Sequence, residues 1–504
     1  MSVQSDLDKI EDIKKDIHTS IKNKGVDISD DTPFENYPSE IDSITGGGSN
    51  TSYILKINTI PMDASVTCKS GSTTLTPFES KYYASGDGSV VNYTCTKSGY
   101  EDLTNSITLT QHTDLNLILT AKNNRAFVGT NAIFIITPDM DLYASGSANP
   151  NAAGATQIVY KFDFVAHNVL EVVLTGGIYG YLNTDGQLYA KGTLNPSSST
   201  FTKDYTLIAS NVKTLGHNWG IGTVLAYIDL NDDLYMMGSN DYGQQGSGTS
   251  GIVNTLTKRA SNVKDFYYYY WASFYITNDA DLYICGGDYQ QGGGSRYGTY
   301  TFTKRAENVK EVCRSDGYGS FYIDLNDDLY GTALEIYPTD KSQSFSFQKW
   351  ASNVKWAQMV GSQGQLLHYI TNDGKLYGSA SRCNSWYWIG TGSQTARQLD
   401  VLLASDVVST CMCQSGAAYI NTNGDIYICG SNGTYTLTNH TSVFTKKVEG
   451  ADLLYNIDMS QSNNLIYLKN SYYATGGNGR GKLGIDNDQI ELTTFEIVPF
   501  NVGE

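Results

Sequence analysis

Charged residues are scarce in this 504-residue chain, of which they make up 17%, and acidic residues outnumber basic ones enough to give a net charge of −17. A nucleic-acid partner held by phosphate neutralisation is therefore disfavoured, and so is an anionic membrane, because both are bound by clustered Lys and Arg. The N-terminal stretch MSVQSDLDKIEDIKKDI contains no apolar run. We expect no signal peptide and no membrane insertion.

Cysteine and histidine are also few. Eight Cys in so long a chain do not make a disulfide scaffold, although Cys68 and Cys95 could pair, and no Cys/His spacing suggests zinc. None of the six His joins a Ser or Cys in a nucleophile motif. The repeated NDD and NDAD segments lack the spacing of a calcium loop and are predicted to be turns. The sequence therefore predicts no enzyme, no metal and no cofactor, with carboxylates paired in a channel as the open alternative.

Proline is sparse at 9 residues, whereas Gly (50) and Tyr (38) are abundant. This mixture is typical of many short strands and tight turns, so the fold class is predicted to be mainly β. A chain of this length divides into domains or grows as a repeat array.

The first 45 residues form a separate segment. Apolar residues follow one another at steps of three and four, which predicts an amphipathic helix: Val3, Leu7, Ile10, Ile13, Ile17 and Ile21. The helix needs a partner for its apolar stripe, so residues 1–45 are predicted to dock on another protein or to oligomerise. An Ile-rich seam favours a homotrimer. A Gly-rich linker, GGGSN, follows at 46–50.

Residues 51–120 alternate apolar and polar residues in YILKINTIP, ASVTCK and SVVNYTCTKSGY, which predicts a small β-sandwich. With Pro61, Ala64, Val66 and KSGY at 97–100, the segment resembles PEGA-type immunoglobulin-like modules. Such modules are usually spacers, and the resemblance implies no chemistry for this one.

Residues 122–504 repeat one hairpin, of which DLYICG is an example. The central tyrosines are 46 to 50 residues apart: Tyr143, Tyr189, Tyr235, Tyr283, Tyr330, Tyr377, Tyr427 and Tyr473. Units of about 47 residues with four strands predict a β-propeller, with eight blades preferred and seven as the alternative. LYMMGSNDYGQQGSGT at 234–249 and YYATGGNGRGKLGID near the end resemble repeats of the regulator of chromosome condensation family, which implies the fold but little about function.

Within a repeat we predict strands a (NVKDF), b (FYITND), c (DLYICG) and d (TFTKRA). The short b–c turns, such as Asp185-Gly186, Asp373-Gly374 and Asn423-Gly424, are predicted to be type I′ and to share one face. The long a–b and c–d connections share the other face and carry aromatic residues. We predict ligand binding there, with Tyr268, Trp271, Trp386 and Trp388 as candidates. The alternative is that such residues are buried between blades.

The N-terminal segment places an Ile-rich helix, KGV, TPF and YPSEI in an order that resembles bacteriophage and phage-tail-like particle proteins. The resemblance implies a tail fibre or receptor-binding protein, made in the host cytoplasm and located in the virion. Residues 1–45 would bind other tail proteins, and the propeller would bind a host-surface protein or glycan. An envelope polysaccharide depolymerase and a structural collar or baseplate protein are the alternatives.

Overall fold

The computed structural model describes part of the chain, from residue 52 to residue 497. The described residues are 52–60, 64–77, 82–96, 101–119, 125–129, 131–153, 159–195, 197, 200–218, 223–269, 271–287, 298–316, 319–333, 344–360, 366–380, 390, 398–413, 416–430, 441–451, 453–456, 465–468, 472–477 and 491–497. The chain divides into two compact units, Met1–Thr120 and Ala121–Glu504. The helix and linker predicted in residues 1–50 lie outside the described residues and stay predictions.

The first unit contains seven described strands in two sheets. They are β1 (Ser52–Ile60), β2 (Ser65–Ser70), β3 (Thr73–Leu75), β4 (Tyr82–Gly86), β5 (Ser89–Thr96), β6 (Leu103–Leu109) and β7 (Thr113–Ile118). One sheet has the order β4-β1-β7 and the other β3-β2-β5-β6. Cys68 and Cys95 are free, buried thiols. Cys68 lies opposite Tyr93 rather than Cys95, and burial raises the pKa of the Cys68 thiol to about 12.

The described strands of the second unit fall into eight consecutive repeats of four, with one extra short strand. Repeats 1 to 4 comprise β8 (Arg125–Val128), β9 (Ala132–Ile136), β10 (Leu142–Gly146), β11 (Asp163–Ala166); β12 (Val169–Thr175), β13 (Ile178–Asn183), β14 (Leu188–Gly192), β15 (Thr202–Ala209); β16 (Val212–Leu215), β18 (Val224–Asp229), β19 (Leu234–Gly238), β20 (Val253–Ala260); and β21 (Val263–Tyr269), β22 (Ala272–Thr277), β23 (Leu282–Gly286), β24 (Thr299–Ala306). The extra strand, β17 (His217–Asn218), pairs in parallel with β21.

The remaining strands belong to repeats 5 to 8. They are β25 (Val309–Asp316), β26 (Ser320–Asp324), β27 (Leu329–Ala333), β28 (Ser344–Ala351); β29 (Val354–Val360), β30 (Leu366–Thr371), β31 (Leu376–Ala380), β32 (Gln398–Ala404); β33 (Val407–Cys413), β34 (Gly416–Asn421), β35 (Ile426–Gly430), β36 (Thr441–Val448); and β37 (Leu453–Asn456), β38 (Leu465–Leu468), β39 (Tyr472–Gly477), β40 (Glu491–Ile497). In each repeat the a, b, c and d strands pair antiparallel in sequence order, as the sequence predicted. The a strands of consecutive repeats contact each other and therefore form the inner layer, except that between repeats 3 and 4 it is mainly β17 and β18, rather than β16, that contact β21.

The hairpin motif repeats because its two apolar positions have separate packing roles. The Leu or Ile of strand c is fully buried, as in Leu234 and Leu376. In repeats 2 to 7 the following Tyr stacks on a Tyr of strand b at centroid distances of 4.8 to 5.3 Å. The hairpin tyrosines of these repeats therefore serve blade packing through stacked cross-strand pairs.

One kind of backbone hydrogen bond links successive repeats. The amide at the start of strand a donates to the carbonyl of a b–c turn residue in the preceding repeat, at 2.8 to 2.9 Å. Seven such bonds run between described residues: Val169 to Met140, Val212 to Gly186, Val263 to Asp232, Val309 to Ala280, Val354 to Asp327, Val407 to Gly374 and Ala451 to Gly424. All seven acceptor residues have positive φ, between 61° and 78°. The turn that closes one hairpin therefore also anchors the next repeat.

The predicted type I′ geometry of the b–c turns is wrong. That turn needs positive φ at both central residues, whereas in Asp185-Gly186 only Gly186 has it (φ 70°). The Asn183 side-chain oxygen instead accepts hydrogen bonds from the amides of Asp185 (3.2 Å) and Gln187 (2.9 Å). This Asx turn leaves one residue in the left-handed region, where Gly carries no Cβ penalty.

The described part of the chain is thus mainly β and is built of many four-stranded sheets, consistent with a β-propeller. It contains no helix long and apolar enough to cross a membrane.

Candidate functional site

The four aromatic candidates differ in where the structure places them. Tyr268 lies in β21 and is 1% exposed, packed with Val224 and Met236 of the preceding repeat. Its ring is closed to a ligand in this conformation, as the alternative of burial between blades anticipated. Trp271 lies in the a–b turn after β21 and is half-buried. Trp386 and Trp388 lie outside the described residues.

Trp271 meets a second aromatic residue from the neighbouring repeat. Tyr242, in the c–d connection of repeat 3, has its ring centroid 5.1 Å from that of Trp271, with the ring planes 33° apart. Tyr242 is 49% exposed. A Cβ on Gly243 would lie 2.4 Å from the ring of Tyr300, itself 46% exposed, so Tyr300 lies beside the same connection. We call Tyr242, Trp271 and Tyr300 the aromatic patch.

The connection that carries Tyr242 is held by buried side chains. Asn240, which is fully buried, donates to the carbonyl of Thr249 (2.8 Å) and accepts from the amide of Gln245 (2.9 Å). The amide of Gly248 donates to the carbonyl of Tyr300 in β24 (2.8 Å). These bonds order the segment 240–251 on the next repeat, so the exposed ring of Tyr242 is presented by a fixed backbone.

A second constellation lies on the inner strands. In six of the a strands, those of repeats 2 to 7, one residue pairs with the same position of strand b after a β-bulge: Glu171, Thr214, Asp265, Glu311, Trp356 and Ser409. Three of these are acidic, and with His217 of β17 they form a set that we call the inner acidic cluster: Glu171, His217, Asp265 and Glu311.

Glu171 joins repeat 2 to repeat 3. Its carboxylate accepts hydrogen bonds from the amide of Leu215 (2.8 Å) and the hydroxyl of Thr214 (3.0 Å). Burial raises the pKa of Glu171 more than these donors and His217 lower it, so the net pKa is above the ordinary value.

His217 joins repeat 3 to repeat 4. Its Nε2 lies 3.3 Å from a carboxylate oxygen of Asp265, and its ring stacks on Tyr267 at 5.0 Å. Burial lowers the pKa of His217, but Asp265 and then Glu171 and Glu311 raise it, and the net pKa is raised.

The pKa of Asp265 is shifted in the opposite direction to the pKa values of the two glutamates. Burial raises its pKa, but hydrogen bonds from His217 and Tyr267 lower it, and the net pKa is below the ordinary 3.8. Glu311 has a raised pKa, through burial first and then the charge of Asp265. Neighbouring carboxyls with pKa values moved apart are what acid–base chemistry needs, but the same pattern arises in structural ion-pair networks. No described group of three or more His, Cys, Asp or Glu could hold a metal ion.

Lys191 is a buried cation on strand c of repeat 2. It is 0% exposed, and its Nζ donates to the carbonyls of Asn149 (2.7 Å) and Ala152 (3.1 Å). The rings of Phe201 and Tyr205 lie 5.7 and 5.5 Å from Nζ. Burial lowers the pKa of Lys191 to about 8. A lysine with a lowered pKa can act as a nucleophile where a substrate can reach it. Lys191 is fully buried, so no substrate reaches it in this structure. Its hydrogen bonds stabilise the c–d connection of repeat 1.

The sequence singled out part of the aromatic patch and none of the acidic cluster. Tyr242 follows Asp241 in the Gly-rich c–d connection, and that context is the signal that marks it. The three carboxylates of the cluster are visible in the sequence only when the third residue after the Asn that precedes strand a is compared across repeats, at Asn168, Asn262 and Asn308.

Comparisons with known proteins gave structural neighbours of low sequence identity. No protein-family model matches the chain, and no curated protein matches it significantly. Human WBSCR16 is similar in structure, with 14% identity over 68% of this chain and 85% of that one and a TM-score of 0.44. Yeast RCC1 (Prp20), solved bound to Kap60, has 13% identity over 65% of this chain and 87% of that one, with a TM-score of 0.45. Hsv2 of Kluyveromyces lactis has 12% identity over 66% and 100%, with a TM-score of 0.34.

The structural neighbours are RCC1-like β-propeller proteins. The interpretation as a phage tail fibre or receptor-binding protein is wrong, because these neighbours are human and yeast proteins rather than tail fibres. The same finding contradicts the virion location, and phage tail proteins and a host glycan are not shown as partners.

Proposed function

We propose that this chain is a non-enzymatic binding protein whose propeller contacts a protein partner through the aromatic patch. The observation that carries the proposal is the Tyr242–Trp271 ring pair, half open to solvent, on a segment held by buried hydrogen bonds. Large rigid rings lose little side-chain entropy on binding, and Tyr and Trp are over-represented among the residues that dominate interface affinity. Tyr242 and Trp271 belong to neighbouring repeats, and the packing of these two repeats fixes the relative position of the rings.

The net charge of the chain favours a particular sign of charge on the partner's surface. A net charge of −17 repels nucleic acid and favours a partner with a basic surface, because complementary charge speeds encounter and disfavours wrong partners.

We further infer that residues 122–504 form an eight-bladed ring, for which a seven-bladed ring with one displaced repeat is the alternative. The seven backbone bonds between described repeats support eight units in series. Residues 51–120 are proposed to be an immunoglobulin-like spacer, and residues 1–45 a segment for docking or homo-oligomerisation.

The test uses two variants of the full chain. Tyr242→Ala combined with Trp271→Ala removes the ring pair, whereas Leu230→Ala removes an exposed apolar side chain from a b–c turn at the opposite strand end. Leu230 is 63% exposed, so it is a matched control. Each tagged chain is used for affinity purification from an extract of the source organism, followed by quantitative mass spectrometry and direct titration of the enriched protein.

We expect one protein to be retained by the wild type and by Leu230→Ala and to bind the double variant at least tenfold more weakly. This corresponds to about 1.4 kcal/mol or more, in the range of hot-spot residues. Thermal unfolding within about 2 °C of the wild type shows that the fold is intact. Equal binding by the double variant contradicts the proposal.

A further inference from the structure

The aromatic patch has a carboxylate beside it. Asp241 directly precedes Tyr242 and is exposed. Both residues belong to the same ordered c–d connection, and Tyr242 beside it is 49% exposed, so a ligand on the ring of Tyr242 lies next to this carboxylate. The patch therefore combines π faces and a negative charge at one end of the propeller, within a chain that is acidic as a whole.

We propose that the aromatic patch recognises an arginine side chain of the protein partner. This inference rests on the proposed protein-binding function and names the group that occupies the patch. The guanidinium stacks on an exposed ring of the Tyr242–Trp271 pair, and its N–H donors meet the carboxylate of Asp241.

Arginine fits this arrangement better than the other side chains. Its guanidinium is planar, stacks on aromatic rings and presents a fork of donors that matches a carboxylate. Lysine carries a point charge that is more strongly hydrated and meets a ring less often. An apolar side chain would bury the rings but leave Asp241 partly desolvated without a counter-charge, which is unfavourable.

The structure also explains why the patch can hold a planar cation. The two rings contact each other, with centroids 5.1 Å apart and planes tilted by 33°, and Tyr242 remains 49% exposed, so a planar cation can stack on its open surface. The backbone beneath Tyr242 is tied through Gln244, whose side-chain oxygen accepts the Tyr242 amide at 2.9 Å. Because the backbone at Tyr242 is already ordered, binding a ligand to its ring costs less conformational entropy.

The experiment titrates the full chain, labelled with 5-fluorotryptophan, with three short peptides of sequence Gly-Gly-Xaa-Gly-Gly and follows the ¹⁹F resonance of Trp271. Xaa is arginine, lysine or citrulline, which has the shape of arginine without the charge. Trp271→Phe assigns the resonance. Asp241→Asn removes the proposed counter-charge, and Asp185→Asn makes the same charge change in an exposed b–c turn at the opposite strand end.

We expect the arginine peptide to shift the Trp271 resonance in a saturable manner, with affinity at least fivefold higher than the citrulline peptide and about threefold higher than the lysine peptide. Asp241→Asn should lower arginine affinity several-fold, and Asp185→Asn should leave it unchanged. Equal binding of arginine and citrulline, or an equal effect of the two Asp variants, would overturn the inference. Equal binding of lysine would overturn the choice of arginine. If a protein partner still depends on Tyr242 and Trp271 while the arginine peptide does not bind, the arginine inference fails and the protein-binding function stands.

Discussion

The inner strands of repeats 2 to 5 and those of repeats 6 and 7 share one backbone and differ in chemistry. In both regions strand a follows a residue with φ near 60°, opens with a buried Val and is tied to the preceding repeat by the same hydrogen bond. At the position after the bulge the first region has Glu171, Thr214, Asp265 and Glu311, whereas the second has Trp356 and Ser409. The backbone conformation is the same in all of these repeats, whereas the residue after the bulge differs in chemistry.

The two regions also bridge neighbouring repeats in different ways. In the first, the Glu171 carboxylate accepts the amide of Leu215. In the second, the Gln358 side chain accepts the amide of Met412 and donates to its carbonyl, both at 3.3 Å. A neutral amide satisfies both backbone groups, whereas a carboxylate accepts only and brings a charge that responds to pH.

Exchange of the two bridging groups should produce the largest effect. Gln358 is 3% exposed, so Gln358→Glu buries a charge beside the Met412 carbonyl, and we expect about 3–5 kcal/mol lower free energy of unfolding at pH 7. Glu171→Gln keeps the acceptor and removes a carboxylate with a raised pKa, so it should change stability by less than about 1 kcal/mol. Urea unfolding measures both. A similar cost for the two variants would show that the regions do not differ as described.

Equal truncations of the shared scaffold should come next. Leu282 and Leu376 hold the same position of strand c in the two regions and are 1% and 0% exposed. Leu282→Ala and Leu376→Ala should each cost about 3 kcal/mol, through lost burial and the cavity left behind. The same unfolding measurement checks them. A difference of more than about 2 kcal/mol would mean that the scaffold is not equivalent around the ring.

A smaller effect is expected at a buried cation outside the inner strands. Lys191 and Met237 occupy the same register of strand c in repeats 2 and 3. Lys191→Met should raise the free energy of unfolding at pH 7 by about 1 kcal/mol, because relief of the buried charge outweighs the loss of two hydrogen bonds.

The pH dependence tests this assignment. The folded pKa of Lys191, about 8, lies below the ordinary 10.5, so the wild type should gain stability as pH rises from 8 to 10.5. The advantage of Lys191→Met should shrink over that window. An advantage that stays constant with pH would show that burial of the charge is not its cause.

The smallest effect concerns the histidine of the inner acidic cluster. The pKa of His217 is raised by Asp265, so its stabilising contribution is fully present below pH 6.5 and is lost as pH rises through the folded pKa. Half of the side chain is exposed, at 51%, so the contribution should stay below about 1 kcal/mol. His217→Gln should flatten the pH dependence of the unfolding midpoint above pH 6.5. An unchanged slope would contradict the pairing with Asp265.

The sequence predicted the features that every repeat has in common. The hairpins and the a-to-d strand order are confirmed. They could be predicted because the Leu-Tyr pair and the opening Val recur at one spacing. The burial of Tyr268 could not be decided in the run FYYYYW, where alternate rings face opposite sides. In the structure both sides are buried, with Phe266 and Tyr268 in one core cluster and Tyr267 in another. The predicted turn type was wrong because the Asn183 side chain accepts hydrogen bonds from the turn amides, so the turn needs only one residue with positive φ.

Sites assembled from different repeats were beyond the sequence. Tyr242 and Trp271 come from neighbouring repeats, and Glu171 and Asp265 are 94 positions apart. Their proximity depends on how the sheets are arranged, which the spacing of one hairpin does not specify.

Hydrogen exchange of the chain with and without its protein partner tests the central claim most directly. The account predicts that the partner slows exchange of backbone amides in 240–251 and around Trp271, while the b–c turns at 229–233 and 324–328 exchange as in the free chain. Protection of those b–c turns with no change in 240–251 would contradict the proposed binding face.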